Sequence, residues 1–247
     1  MAGTPTSVAR LTGPPPPRAE AAIVSGRPRP ADDGRIEGAV VISHAIATPR
    51  PDFRIYAAPG PGSQAPKVRD DSIAELQNVV IYIQSDAAHA APADAAPPDP
   101  PREMVQRNEQ FVPHVLPIRV GDAVTFPNDD DVYHNVFSLS APHPFEIRRY
   151  PKGASPDTEV FAKPGIVQVF CHIHSDMSAV ILVLGNAWFA TPDRTGHYVI
   201  DGIPPGEYTL VAWHQRITPI ARAGVRVVAG QAATQNFTIP LPAGAPH

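Results

Sequence analysis

The chain has 247 residues and a formal net charge of −4, and this slightly acidic balance provides no basic field of the kind that binds nucleic acid. It holds 32 prolines, well above the ordinary share of about 5%, and each internal proline costs a helix about 3 kcal/mol. A mainly helical bundle is therefore excluded. With a single cysteine, a fold stapled by internal disulfides is excluded as well.

The first third of the chain predicts two strands separated by proline-rich spacers. Residues 1–35 contain the run Pro14 to Pro17 and no apolar stretch typical of a secretory signal, so we expect a disordered leader. Residues 36–43 and 78–84 are apolar and β-branched, which predicts strands. Pro-, Ala- and Asp-rich stretches at about 48–72 and 87–101 predict inserted loops. No window of 18 apolar residues occurs, so we expect no membrane-spanning segment.

From Met104 onward, short apolar segments alternate with Gly, Pro and Asn/Asp turns, a pattern typical of an antiparallel β-sandwich. Strands are predicted at 158–161, 166–171 and 179–184. Residues 196–200 and 207–213 flank a Pro-Pro-Gly turn and predict a hairpin, followed by strands at 223–228 and 233–239. The fold class is therefore all-β. We predict one sandwich over 36–187, with the two insertions, and a small second sandwich over 188–247.

Residues 171–177 concentrate metal-binding chemistry at the end of a predicted strand. Cys171, His174 and Met177 follow one another as C-x-x-H-x-x-M, so that one loop can bring a thiolate, an imidazole and a thioether to one point. A thiolate with two imidazoles and a weak axial thioether describes a blue-copper electron-transfer site. His134, which lies 37 positions before the cysteine in a loop after a strand, is the candidate for the second imidazole.

Three motifs together resemble the cupredoxins of the plastocyanin and amicyanin group. They are G-D-x-V-x-F-x-N-x-D at 121–130, H-N-V at 134–136 and P-G-x5-C-x-x-H-x-x-M at 164–177. The resemblance covers roughly 104–184. It implies a Greek-key sandwich with one type 1 copper ion held by His134, Cys171, His174 and Met177. It also implies that Asn135 links the two ligand loops and supports the cysteine sulfur by hydrogen bonding.

The C-terminal run T-G-H-Y-V-I-D-G-I-P-P-G-E-Y-T-L-V-A-W-H resembles the carboxypeptidase regulatory-like, transthyretin-like sandwich, a module that is usually non-catalytic. The whole chain is similar to bacterial plastocyanin-like proteins labelled as methylamine-utilisation proteins. These resemblances imply an exported, periplasmic or extracellular electron carrier that exchanges electrons with protein redox partners and is not itself an enzyme. The alternative is a copper carrier, or a non-redox interaction protein with a vestigial metal site.

Several nearby residues offer competing interpretations. His172 is the rival nitrogen ligand, but it should face away from the metal if Cys171 faces it, because adjacent strand residues point to opposite faces. His214 is expected to be structural or on the surface. The acidic run Asp129 to Asp131 is interpreted as a solvated turn or, because it lies near His134, as a docking surface.

Overall fold

The structure, a computed structural model, describes residues 33–43, 75–85, 101–154 and 158–241. Almost all of the predicted leader and of both predicted insertions lies outside these ranges. The described ranges form eighteen strands: β1 (Gly34–Ile42), β2 (Val80–Ile83), β3 (Arg102–Glu103), β4 (Val105–Gln106), β5 (Phe111–Val112), β6 (Val115–Arg119), β7 (Ala123–Thr125), β8 (His134–Ser138), β9 (Phe145–Tyr150), β10 (Glu159–Val160), β11 (Gly165–Phe170), β12 (Ser178–Leu184), β13 (Phe189–Ala190), β14 (His197–Ile203), β15 (Gly206–Trp213), β16 (Ile220–Val227), β17 (Ala232–Thr234) and β18 (Phe237–Ile239). The predicted all-β fold is confirmed. The described residues include no helix long and apolar enough to cross a membrane.

Strands β3 to β12 form one unit, here called the central sandwich. Its larger sheet has the order β6-β12-β11-β8-β9 and its smaller sheet the order β10-β7-β3, with β4 and β5 paired beside them. In β11 the buried residues are Val167 and Val169, two positions apart, and the alternation continues to the buried Cys171. Because successive side chains of a strand point to opposite faces, this period of two places the cysteine in the hydrophobic core.

The remaining strands form a second unit, here called the composite sandwich because it uses strands from both ends of the described chain. One sheet has the order β14-β1-β17, with β18 also pairing with β1, and the other has the order β13-β2-β15-β16. Strand β1 runs antiparallel to β14 and parallel to β17 and β18. The core between these sheets includes Ile36, Val40, Ile81, Ile83, Tyr198, Leu210 and Phe237.

Two features of this pairing differ from the sequence-based interpretation. The sequence pattern predicts β1 and β2 in the first sandwich. In the structure both lie in the composite sandwich, where β1 pairs with β14 and β2 pairs with β13 and β15. The predicted hairpin is also wrong, because β14 and β15 belong to different sheets and the turn between them passes from one sheet to the other. A local apolar pattern identifies a strand but not its partner, which is chosen by contacts far away in the sequence. The limits of the two domains along the chain stay a prediction.

Strand β12 is buried on both faces and joins the two sandwiches. Ile181 and Val183 belong to the core of the central sandwich, whereas Leu182 points the other way. A further apolar cluster on that second face combines residues of β6 and β12 with residues of the composite sandwich: Val80, Val115, Val180, Leu182, Leu184, Phe189 and Trp213. A strand with apolar residues on both faces requires a packed layer on each side. The composite sandwich therefore supplies the second layer for the strand that begins directly after Met177.

Candidate metal centre

The segment from Cys171 to Met177 is a tight loop between two antiparallel strands. It connects β11 to β12, and the pairing of Phe170 with Ser178 fixes its two ends. Inside the loop, the Cys171 N–H donates to the Met177 carbonyl (3.3 Å) and the Met177 N–H donates to the His174 carbonyl (3.0 Å). The loop therefore turns back on itself and brings its three candidate ligand residues to the same end of the sandwich.

His134 reaches the same point from β8, of which it is the first residue. The Sγ atom of Cys171 lies 3.9 Å from His134 Nδ1 and 3.9 Å from His174 Nδ1, and the two nitrogens are 3.0 Å apart. A triangle with these sides has a circumradius of about 2.1 Å, close to the metal–nitrogen and metal–sulfur bond lengths of about 2.0–2.3 Å. The three donor atoms therefore fit one metal ion at the centre of the triangle.

Met177 is buried, whereas His172 is exposed. Met177 is 1% exposed and belongs to the same hydrophobic cluster as Cys171. The side chain of His172 is 42% exposed and stacks on Phe137, with ring centroids 3.7 Å apart and an interplanar angle of 2°. The alternation of faces predicted this outward orientation of His172. Its ring is thus turned away from the three donor atoms.

Asn135 joins the two segments that carry the candidate ligands. Its side-chain Oδ1 accepts a hydrogen bond from the His172 backbone N–H at 2.8 Å and one from the Cys171 thiol at 3.4 Å. The residue is 3% exposed, so both contacts are shielded from water. Asn135 therefore fixes the start of the cysteine loop against β8, the linking position that the resemblance implied.

Asp130 contacts His134 from the side opposite to the cysteine, a contact that sequence reasoning missed. Its Oδ2 lies 2.9 Å from His134 Nε2, and its side chain is 12% exposed while that of His134 is 0% exposed. The three residues Asp129 to Asp131 therefore differ in exposure: Asp130 is largely buried, and its two neighbours are exposed. Asp129 and Asp131 form exposed ion pairs with Arg107 and Lys152. The signal available in the sequence was the position of Asp130, four residues before a candidate ligand.

Burial and neighbouring groups shift the pKa values of Asp130 and His174. Burial raises the pKa of the Asp130 carboxyl, but N–H donors from Glu109, His134 and Asn108 outweigh it, so its pKa lies below the ordinary value. The pKa of His174 is lowered, first by burial and then by the neighbouring His134. A lowered pKa keeps the His174 imidazole neutral near pH 7, which is the form that binds a metal.

Three further histidines of the described part have ring partners away from the three donor atoms. His114 contacts the Ser178 carbonyl and Gln215, and His143 contacts Glu159. The buried ring of His214 contacts Glu75 at 3.0 Å, so it has the structural role that the sequence favoured. His44 and His89 lie outside the described residues.

A protein-family model matches the C-terminal part of the described chain. Residues 178–240 match the family model of the carboxypeptidase regulatory-like domain. The match spans β12 to β18, so its first strand lies in the central sandwich and the others in the composite sandwich. No curated protein matches the chain.

Solved structures similar to parts of the chain include a copper enzyme and cupredoxins. One is a Cu-containing nitrite reductase from Thermus scotoductus SA-01, at 28% identity and a TM-score of 0.34, and the match covers 40% of this chain and 26% of that one. A variant of amicyanin in its reduced form has 21% identity and a TM-score of 0.32, covering 37% of this chain and 87% of that one. A purple cupredoxin from Nitrosopumilus maritimus has 23% identity and a TM-score of 0.31, covering 33% and 98%. The family-model match confirms the C-terminal resemblance that the sequence indicated.

Proposed function

We propose that the chain is a single-electron carrier with one mononuclear type 1 copper ion. The imidazoles of His134 and His174, the thiolate of Cys171 and the thioether of Met177 would hold the ion. The observation that carries the proposal is the triangle of two Nδ1 atoms and one Sγ, whose centre lies at metal-bonding distance from all three. Two imidazoles and one thiolate, with a weakly bound thioether, are the donor set typical of a blue-copper site.

The residues of this chain would hold and tune the ion. When bound, copper supplies a centre that alternates between Cu(I) and Cu(II) and passes one electron at a time. The two strands on either side of the loop, together with Asn135, hold the donor atoms in one arrangement, which keeps structural change between the two oxidation states small. The buried Cys171 and Met177 keep the sulfur atoms away from water.

His174 is the proposed route for electrons between the site and protein redox partners. It is half-buried, whereas His134 is completely buried, so of the two imidazoles His174 is nearer to solvent. Apolar surface accompanies it, since Ile173 is 42% exposed in the same loop. An electron carrier of this kind would work in an exported compartment, periplasmic or extracellular, and would have no catalytic residues of its own.

Addition of Cu(II) to the purified protein tests the proposal. We expect an intense visible absorption band from charge transfer between the Cys171 thiolate and Cu(II). The Cys171→Ser variant should lose this band, whereas Ser175→Ala on the same loop should keep it. Colourless copper binding would favour the copper carrier, and no binding would favour the non-redox interaction protein. Electron paramagnetic resonance distinguishes a blue site from a red or green one.

A further inference from the structure

The carboxylate of Asp130 is enclosed by hydrogen-bond donors of the protein. Its Oδ1 accepts the Asn108 N–H at 2.6 Å, and its Oδ2 accepts the Glu109 N–H at 2.8 Å. The same Oδ2 lies 2.9 Å from His134 Nε2. The Asp130 backbone is held as well, since its N–H donates to Asn128 Oδ1 at 2.9 Å. The side chain thus has a fixed position, which an exposed acidic residue would not have.

The turn that provides two of these donors has an uncommon backbone. It links β4 to β5, and Arg107 and Gln110 close it by exchanging backbone hydrogen bonds of 2.8 and 3.2 Å. Its central residues, Asn108 and Glu109, both have φ of 54° although neither is glycine. Such left-handed residues are disfavoured, and two in succession aim adjacent N–H groups at a common anion. Asp130 is that anion here.

The turn is attached to the loop that leads to His134 at further points. The Gln106 N–H donates to the Pro127 carbonyl at 2.8 Å, and the Asp129 N–H donates to the Gln106 carbonyl at 2.9 Å. Arg107 adds an ion pair with Asp129. The carboxylate therefore belongs to an arrangement that backbone hydrogen bonds and an ion pair hold in place. On the opposite side of the imidazole, His134 Nδ1 faces Cys171 Sγ.

From this geometry we propose that Asp130 is the positioning residue of the copper site: it fixes the His134 ring with Nδ1 toward the metal and increases the electron density of that imidazole. This rests on the proposed function. A carboxylate that accepts a ligand histidine's second N–H sets its tautomer and raises its basicity. An ionised carboxylate close to the metal also favours Cu(II) over Cu(I) by simple charge attraction. Asp130 thus holds the midpoint potential down and the copper affinity up.

The test compares Asp130→Asn with Asp131→Asn in the copper-loaded full chain. Both variants remove one negative charge from the same loop, but the Asp131 side chain is 89% exposed and pairs with the exposed Lys152. We expect Asp130→Asn to raise the midpoint potential and to lower copper affinity by about 10–100-fold. Asp131→Asn should resemble the wild type, because exposed charges are screened. Asp130→Glu, which keeps the charge, should return the potential toward the wild-type value.

Equal potentials and affinities in the Asn variants at 130 and 131 would overturn the role of Asp130 while leaving the blue copper site intact. A wild-type protein without the blue band would instead overturn the proposed function itself. If Asp130→Asn does not fold, NMR of the wild-type Cu(I) protein decides the question. A His134 Nε2–H signal protected from exchange with water supports the contact with Asp130, and a rapidly exchanging Nε2–H contradicts it.

Discussion

Three residues of the loop from Cys171 to Met177 have different surroundings, because the strand before the loop presents alternate faces and the chain then turns. Cys171 continues the inner face of β11 and is 3% exposed. The ring of His172 lies outside on Phe137, and the chain then turns so that His174 returns to the site, 3.9 Å from the sulfur. The loop therefore holds two histidines with the same side chain but different positions: the ring of His174 faces the donor atoms, and the ring of His172 stacks on Phe137.

Single alanine substitutions of these two histidines should separate them. We expect His172→Ala to keep the visible copper band, because its ring makes no contact with the three donor atoms and its backbone N–H still reaches Asn135. We expect His174→Ala to lose the band and to weaken copper binding by more than the 10–100-fold that is typical for loss of an outer partner. Titration with Cu(II), followed by absorption and equilibrium dialysis, measures both effects. Loss of the band in His172→Ala, with the band kept in His174→Ala, would show that His172 and not His174 is the ligand.

At the scale of secondary structure, β1 is held against β17 and β18 by a close approach of two backbones. A Cβ atom added at Gly38 would lie 1.9 Å from the Gln235 carbonyl oxygen, which no real contact allows. The Gln235 N–H donates to the Glu37 carbonyl at 2.9 Å, so these two segments cannot separate without losing a hydrogen bond. Glycine is thus required at position 38 by the parallel pairing and not by a turn.

We therefore expect Gly38→Ala to destabilise the protein by about 1–3 kcal/mol, the usual cost of forcing extra volume into a packed site. Both tryptophans, Trp188 and Trp213, lie in the composite sandwich or in the segment that leads into it, so their fluorescence during urea unfolding reports the loss. Val41→Ala on the same strand is the control, because Val41 is 57% exposed and its truncation should change stability little. Equal midpoints for the two variants would contradict the pairing of β1 with β17 and β18.

At the scale of the whole molecule, the two sandwiches share the apolar interface on β12. Leu182 and Trp213 are each 5% exposed and belong to its cluster, one from each sandwich. Ile181, the neighbour of Leu182, is 0% exposed but lies in the core of the central sandwich. The interface therefore supports the strand that leaves the metal loop.

A double-mutant cycle tests this coupling. Leu182→Ala and Trp213→Ala should each destabilise the protein by about 2–5 kcal/mol. Because the two side chains belong to one cluster, their combined effect should depart from additivity by about 0.5–3 kcal/mol. The matched control combines Ile181→Ala with Trp213→Ala. There we expect additivity, because Ile181 points to the face of β12 opposite to the cluster that contains Trp213. Urea unfolding followed by copper absorption and by Trp188 fluorescence provides the free energies, and additivity in both cycles would contradict the shared interface.

The sequence by itself determined the features that depend on local order. Proline and turn spacing indicated an all-β chain, and C-x-x-H-x-x-M brought a copper-like donor set into one loop. The alternation of faces along a strand indicated that His172 faces outward if Cys171 faces the metal. These predictions needed no knowledge of distant contacts, because the geometry of a strand and the reach of a short loop are set by neighbouring residues.

Only the tertiary structure decided which distant segments meet. Strands β1 and β2 proved to belong to the composite sandwich, since hydrogen-bonded pairing joins residues such as Gly38 and Tyr198 across 160 positions of chain. In the sequence Asp130 does not differ from its two acidic neighbours. In the structure its carboxylate accepts the N–H groups of Asn108 and Glu109. The acidic residues and the strand pattern are visible in the sequence, but their partners are not. Which residue accepts a backbone N–H of a strand or turn depends on the segment that packs against it in the folded protein.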